Sequence, residues 1–406
     1  MSDITTVVSQ LQTALATAQA IAAGGPPPPP PPPGTLPAWL TSKALLTWIP
    51  IPKSGLGIAD SPQLIADLHA AGLVNADGSP TIWGQVPLIA NYSGGALNKA
   101  TSELLITGGG GAGNWGANNI FGITLSDDAP SWHVAVPSSP TSLLNYPPDT
   151  DTEYIHGDGV THNTGHSLWG PQFLDLKNKF CHVTNTSVWY YDAGSYNGVD
   201  TVDFSVARTS RTWDPAGTNP RCPVTANSMG NQYLWVCKDP ATENIYVGSG
   251  SGIYKRAIAD GSWTLWSSST GDGAAAVGLG VILNITHGSY PTAYSINLAT
   301  GLASSVTLVN MPTFPSGIGP RAMGFDFDPI LGAWIMFIKD GNLYKIAQTD
   351  ATHYTCSNMG ISGTVTMAED VGPGSGPYNR FRYVPNLKGF VLLPDGHSQT
   401  YFVRTA

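Results

Sequence analysis

The chain has 406 residues, of which only 11% are charged, and a formal net charge of −9. That balance, with no Lys/Arg cluster to displace counterions, excludes a protein that tracks nucleic-acid phosphates; no apolar run of about 18 residues is present to span a membrane. The 47 Gly and 33 Pro exceed a helical protein's needs, whereas 12 Trp and 16 Tyr suit many short strands with turns between them.

Residues 4–22 place Ile4, Val8, Leu11, Leu15, Ala18 and Ala22 at alternating spacings of four and three, an a/d seam flanked by Val7, Ala14 and Ile21. The spacing predicts an anchoring or oligomerisation helix within residues 1–24, about 20 residues and roughly 30 Å long. Such a Thr/Ala/Gln helix is marginal alone, so it is expected to order by self-association or by docking on a partner. Asp3 is the only charge before Lys43, so the cationic start of a secretory signal is missing. Gly24-Gly25 stops the helix, and the eight prolines Pro26 to Pro33 follow. Lacking backbone donors and with φ fixed, they predict a polyproline II rod of roughly 25 Å inside a linker over residues 25–37.

Residues 38–406 read as a globular domain. Ala44 to Ile51 is a predicted strand centred on Trp48. Ser61-Pro62 opens a short helix within an insertion at about residues 60–73; Leu64, Ile65 and Leu68 face inward and Gly72 ends it. From Pro87 a turn followed by an apolar strand recurs, at Leu104 to Ile106, Phe180 to Val183, Ile245 to Val247, Val281 to Ile285, Trp334 to Ile338 and Phe390 to Leu392. Each is followed by a strand bearing an aromatic: Phe121, Trp189, Tyr254, Tyr294, Tyr344 and Tyr401. Phe325 to Ile346 is the best-formed copy, its hairpin turned by Lys339-Asp340-Gly341-Asn342. Fourth, outer strands are expected at Trp132, Trp213, Trp263 or Trp266, and Tyr354. Six such units, seven if residues 50–90 hide another, predict an all-β propeller. The last unit ends without an outer strand, so the Trp48 strand is expected to supply it and close the ring.

Glu103 to Gly110 followed by Asn119-Ile120-Phe121 resembles the kelch signature, in which a strand ends in a glycine run and a later aromatic strand completes the hairpin. Gly165-His166-Ser167 before Gly170 to Leu174, and Arg380 to Pro385, resemble kelch blade starts. The resemblance, to kelch-type propellers such as the central domain of galactose oxidase, covers about residues 38–406. It implies a kelch-like propeller and says little about function.

Candidate chemistry is sparse. Glu153, His156, Asp158, His162 and His166 crowd one stretch, and His156, Asp158 and His162 are its metal-donor candidates; their spacing matches no closed zinc site. Copper chemistry of the galactose-oxidase kind would need a tyrosine cross-linked to a cysteine, and no cysteine lies in such a context. A Cys222–Cys237 disulfide is the alternative to isolated buried thiols, which are the expected state of Cys181, Cys222, Cys237 and Cys356. No catalytic residues and no cofactor are expected. The loop aromatics and amides Asn114, Trp115, Asn118, Tyr190, Tyr191 and Tyr196 suit saccharide stacking and hydrogen bonding, against a plain packing role.

Helix, stalk and head form the layout of an appendage on a larger assembly. The expected function is that of a non-enzymatic bacteriophage virion protein: a fibre, spike, or capsid or tail decoration. Residues 1–33 would join other virion proteins as a homo-oligomer, such as a trimer, and the propeller would face host surface glycans. Nucleic acid and membrane insertion are not expected. A kelch-type adaptor, extracellular or cytoplasmic, and a carbohydrate-active propeller enzyme stay open as alternatives.

Overall fold

A computed structural model describes residues 36–56, 59–79, 81, 94–107, 117–139, 169–183, 199–215, 218–220, 222–223, 234–249, 252–286, 292–314, 323–338, 340–366, 376–395 and 398–406. The predicted helix of residues 1–24 and most of the 25–37 linker lie outside them. The first strand, β1 (Ile49–Pro50), is followed by a helix, α1 (Pro62–Ala70). As expected, Leu64, Ile65 and Leu68 are buried, and Gly72, at φ +73°, lies just past the helix end. Ser61 precedes the helix but does not cap it; its hydroxyl donates instead to Gly55 O at 2.7 Å.

Antiparallel meanders follow in chain order. The first is β2 (Gly95–Asn98), β3 (Glu103–Thr107), β4 (Ile120–Thr124) and β5 (Trp132–Val136). The second is β6 (Pro171–Leu174), β7 (Lys179–Val183) and β8 (Val199–Asp203). Its expected outer strand at Trp213 is only a single bridge to Val202. The third comprises β9 (Trp235–Lys238), β10 (Ile245–Ser249), β11 (Gly252–Arg256) and β12 (Trp263–Ser267). The fourth is β13 (Gly273–Gly278), β14 (Val281–Thr286), β15 (Ala293–Asn297) and β16 (Ala303–Val309). The fifth is β17 (Gly324–Asp328), β18 (Ala333–Phe337), β19 (Leu343–Gln348) and β20 (His353–Asn358). β16 and β20 also pair with each other in parallel, which ties the outer edges of these two units together.

The last unit, β21 (Phe381–Val384), β22 (Gly389–Leu392) and β23 (Tyr401–Arg404), takes β1 as its fourth strand. Ile49 stands opposite Phe402 and Pro50 opposite Tyr401. Leu46 N to Arg404 O and Ile51 N to Thr400 O, both 2.9 Å, extend the seam. The regular strand is shorter than the predicted 44–51, because Leu46 sits at φ +53° and Pro50 has no donor.

The first strands of the units adjoin in sequence: β2 meets β6, β9 meets β13, β13 meets β17, β17 meets β21, and β21 meets β2. The β6–β9 junction is bridged by Gln172 Nε2 to Val236 O at 3.3 Å and by the Lys238 ammonium on Phe173 O. A closed ring of radiating antiparallel sheets is a β-propeller. Neighbouring first strands pack closely, and the sequence answers with small residues such as Gly278, where a Cβ would lie 2.2 Å from the Phe327 ring of the next unit. Gly273 has φ +147°, and a Cβ there would lie 2.1 Å from Ile285 O. Gly280 also has positive φ, +78°, but open space around it. Gly273→Ala should therefore lower the urea midpoint far more than Gly280→Ala, whose cost should be about 1 kcal/mol.

Between units the joints are made by indoles. Trp132 Nε1 donates to Ser54 O at 2.8 Å, Trp213 to Asn118 O at 2.8 Å, Trp334 to Ala276 O at 3.0 Å and Trp48 to Gly341 O at 2.9 Å. Each ring thus buries apolar area while its one polar atom is satisfied by backbone of a neighbouring segment. The four cysteines are buried and form no disulfide, and burial pushes the thiols of Cys181 and Cys356 up to about 11.

Candidate functional site

Strand direction gives the propeller two unlike faces. The turns from first to second strand are tight: 99–102, 175–178, 239–244, 279–280, 329–332 and 385–388. They share a face with the turns from third to fourth strand, such as 125–131 and 298–302. The strand ends at the opposite face are joined by the longer stretches 108–119, 137–170, 184–198, 214–234, 310–323 and 359–380 and by the short ones 250–251, 268–272, 287–292, 338–342 and 393–400. The chain arrives on the short-turn face: Ala38 N donates to Asp128 Oδ1 at 2.7 Å and Trp39 Nε1 to Asp127 O at 3.1 Å. On that face Leu45, Leu176, Leu279, Leu302 and Ile330 are exposed.

At the centre of the short-turn face a cavity of about 470 Å³ lies among the ends of the first strands. One wall is apolar and small, Ala275 to Gly280; the others carry Lys99, Gln172, Lys238, Asp239, Asp326 and Arg382. Lys238 Nζ lies 2.8 Å from both Asp175 Oδ2 and Glu243 Oε1. Glu243 in turn accepts from Asp175 N at 2.6 Å and Leu176 N at 2.8 Å, which fixes the neighbouring turn. Burial alone would lower the Lys238 pKa, but the two carboxylates outweigh it and hold the ammonium above its ordinary value. Burial raises Glu243 against the pull of Lys238.

Arg382 is held more loosely. Its Nη2 lies 3.5 Å from Gln172 Oε1, its Nη1 3.9 Å from Asp326 Oδ2, and its Nε has no hydrogen-bond partner. Asp326 is committed to backbone, accepting from Phe327 N and Tyr383 N at 2.9 Å each. Asp239 closes its own turn through Ala241 N at 3.0 Å and Thr242 Oγ1 at 2.6 Å. Lys99 lines the cavity, and its ammonium makes no hydrogen bond or ion pair among the described residues. Burial and then the Lys238 charge hold its pKa below the usual lysine value. Chemically, the cavity offers fixed cationic donors beside a small apolar wall.

Of the residues singled out from sequence, Trp48 closes the ring as expected, with its ring 5.7 Å from Phe337 and 6.4 Å from Tyr401. Asn118 is a correction: it is fully buried, not an exposed binding amide. Its Oδ1 accepts from Ser138 Oγ at 3.0 Å and Ser139 N at 2.9 Å, and its Nδ2 donates to Ser139 Oγ at 3.1 Å, so it pins the exit of β5 to the entry of β4. Asn114, Trp115, Tyr190, Tyr191, Tyr196, His156, Asp158 and His162 lie outside the described residues, as do Ile4, Val8, Leu11, Leu15 and Ala18. Among the described residues no group of three His, Cys, Asp or Glu is placed to hold a metal.

The charged ring of the cavity was missed in the sequence reading. Its signal was charge placement: in a chain with so few charges, Lys99, Asp175 and Lys238-Asp239 stand at or just past the ends of three first strands, and Asp326 and Arg382 lie within two others.

With fold and cavity defined, the chain is a β-propeller protein. No protein-family model matches it, and no curated protein matches it in sequence. Among solved structures, an α-L-arabinanase of Penicillium chrysogenum complexed with arabinobiose is similar at 11% identity and a TM-score of 0.45, over 80% of this chain and 94% of that one. A mitotic checkpoint complex is similar at 7% identity and a TM-score of 0.45, with the same coverage.

Proposed function

We propose that the chain is a non-enzymatic bacteriophage appendage: a propeller head carried on the stalk of residues 25–37 and joined to other virion proteins through residues 1–33. The observation that supports this reading is the polarity of the head. The chain enters on the short-turn face, beside Asp127 and Asp128, so the long connections belong to the face turned away from the attachment. A tethered recognition module needs that arrangement, since the variable surface must point outward. The exposed leucines on the stalk side suit contact with an assembly partner. Host surface glycans are the proposed target of the outward loops, through stacking by Trp115, Tyr190, Tyr191 and Tyr196.

Light scattering tests the anchor. The full chain should run as a homo-oligomer, a trimer in this proposal, whereas a chain starting at residue 38 should be monomeric. Equal monomeric masses would sink self-association through residues 4–22.

A further inference from the structure

We propose that the cavity on the short-turn face binds a small organic carboxylate of about monosaccharide size, held by Lys99 and Arg382. This site lies across the propeller from the long loops and does not depend on the proposed function of the chain.

The choice of ligand follows from which donors are spent. Lys238 is saturated by Asp175, Glu243 and Phe173 O. Lys99 has no side-chain partner among the described residues, and Arg382 has only the two long contacts at 3.5 and 3.9 Å. The acids nearby take up these donors only through the long Asp326–Arg382 contact, because Asp326 and Asp239 are occupied by backbone amides and a threonine hydroxyl. The lining is only weakly cationic: Lys99, Lys238 and Arg382 stand against Asp239 and Asp326, and Asp175 and Glu243 behind the lining neutralise Lys238. Recognition therefore rests on the Lys99 ammonium and the loosely held Arg382 guanidinium in a confined space, not on a broad positive field, and a lone carboxylate suits that better than a polyanion. The wall from Ala275 to Gly280 has side chains small enough to admit a ring.

Charge neighbours also set the pH behaviour. Burial and Lys238 depress the Lys99 pKa while Asp175, Asp326 and Glu243 oppose them, and the net shift is downward. A bound carboxylate stabilises the ammonium form, so binding takes up protons near that lowered value, and affinity falls at lower pH than an ordinary lysine would dictate.

Isothermal titration of the full chain with glucuronate, and with glucose as its neutral counterpart, tests this. Glucuronate should bind and glucose should not. Lys99→Gln, which removes a side chain with no structural partner, should weaken glucuronate binding by about tenfold to a hundredfold at an unchanged urea midpoint. Arg382→Gln should weaken it similarly. At alkaline pH, titration in two buffers of different ionisation enthalpy should show proton uptake that is lost in Lys99→Gln. No heat with glucuronate, equal affinity for glucose, or undiminished binding in Lys99→Gln would overturn the assignment.

Discussion

Replacing Trp48 by alanine should lower the stability of the whole propeller by about 3–5 kcal/mol, the usual cost of removing a buried large aromatic. The ring is 4% exposed, lies edge-on to Phe337 and Tyr401, and donates to Gly341 O at 2.9 Å. It joins the last unit to the fifth, and its backbone N donates to Ser362 O at 2.9 Å. Trp48→Phe keeps most of the apolar area but leaves Gly341 O without its donor, so it should cost less. Deleting residues 44–51 should cost most, because β23 then becomes an unpaired edge. Differential scanning calorimetry reads all three; an unchanged melting temperature in the deletion would refute the closing role.

Lys238→Met should be about as damaging, at about 3–5 kcal/mol, because it strands two carboxylates that share one buried cation. Glu243 is 1% exposed and would have no counter-ion beside it. The pH dependence carries a sign that separates this mechanism from simple cavity formation. Lys238 has its folded pKa raised above 10.5, so its stabilisation is fully present below pH 10.5 and is lost as pH climbs through the raised value. Glu243, already raised by burial, rises further once Lys238 is gone, so its folded state prefers the proton. The deficit of Lys238→Met should then shrink as the solution is acidified. Urea midpoints in acid and at neutral pH check this; a deficit independent of pH would mean that lost packing, not stranded charge, is the cause.

Much of the fold was legible in the sequence because second and third strands are long in β-branched and aromatic residues and are bounded by turn dipeptides. Ala333 to Phe337 and Leu343 to Ile346 are examples, and the closing role of Trp48 followed from the missing outer strand of the last unit. First strands were harder to see. Stretches such as Gly95-Ala-Leu-Asn98 and Gly273 to Gly278 have weak strand propensity, since close packing of neighbouring first strands selects small residues over strand formers. The cavity was hidden because its lining comes from widely separated places, and its five charges, Lys99, Lys238, Asp239, Asp326 and Arg382, are spread over four of them. Asn118 was misjudged because an amide beside a glycine-rich stretch looks solvent-facing, whereas here it substitutes for missing backbone partners. The kelch-like glycine run and His166 lie outside the described residues, so the propeller stands on its strand ring alone.

One feature of the closure bears on how the molecule would carry load. β1 runs from the short-turn face toward the opposite one, antiparallel to β23. A pull on residue 36 with the far face held acts along β1, not across it. The bonds from Leu46, Ile51 and Trp48 would then be sheared together, with the Trp48 indole wedged between two units as a mechanical stop. The same strand drawn sideways would unzip one bond at a time. The domain is thus wired to withstand traction along its axis, and force spectroscopy should find it much stronger in that direction than in any other.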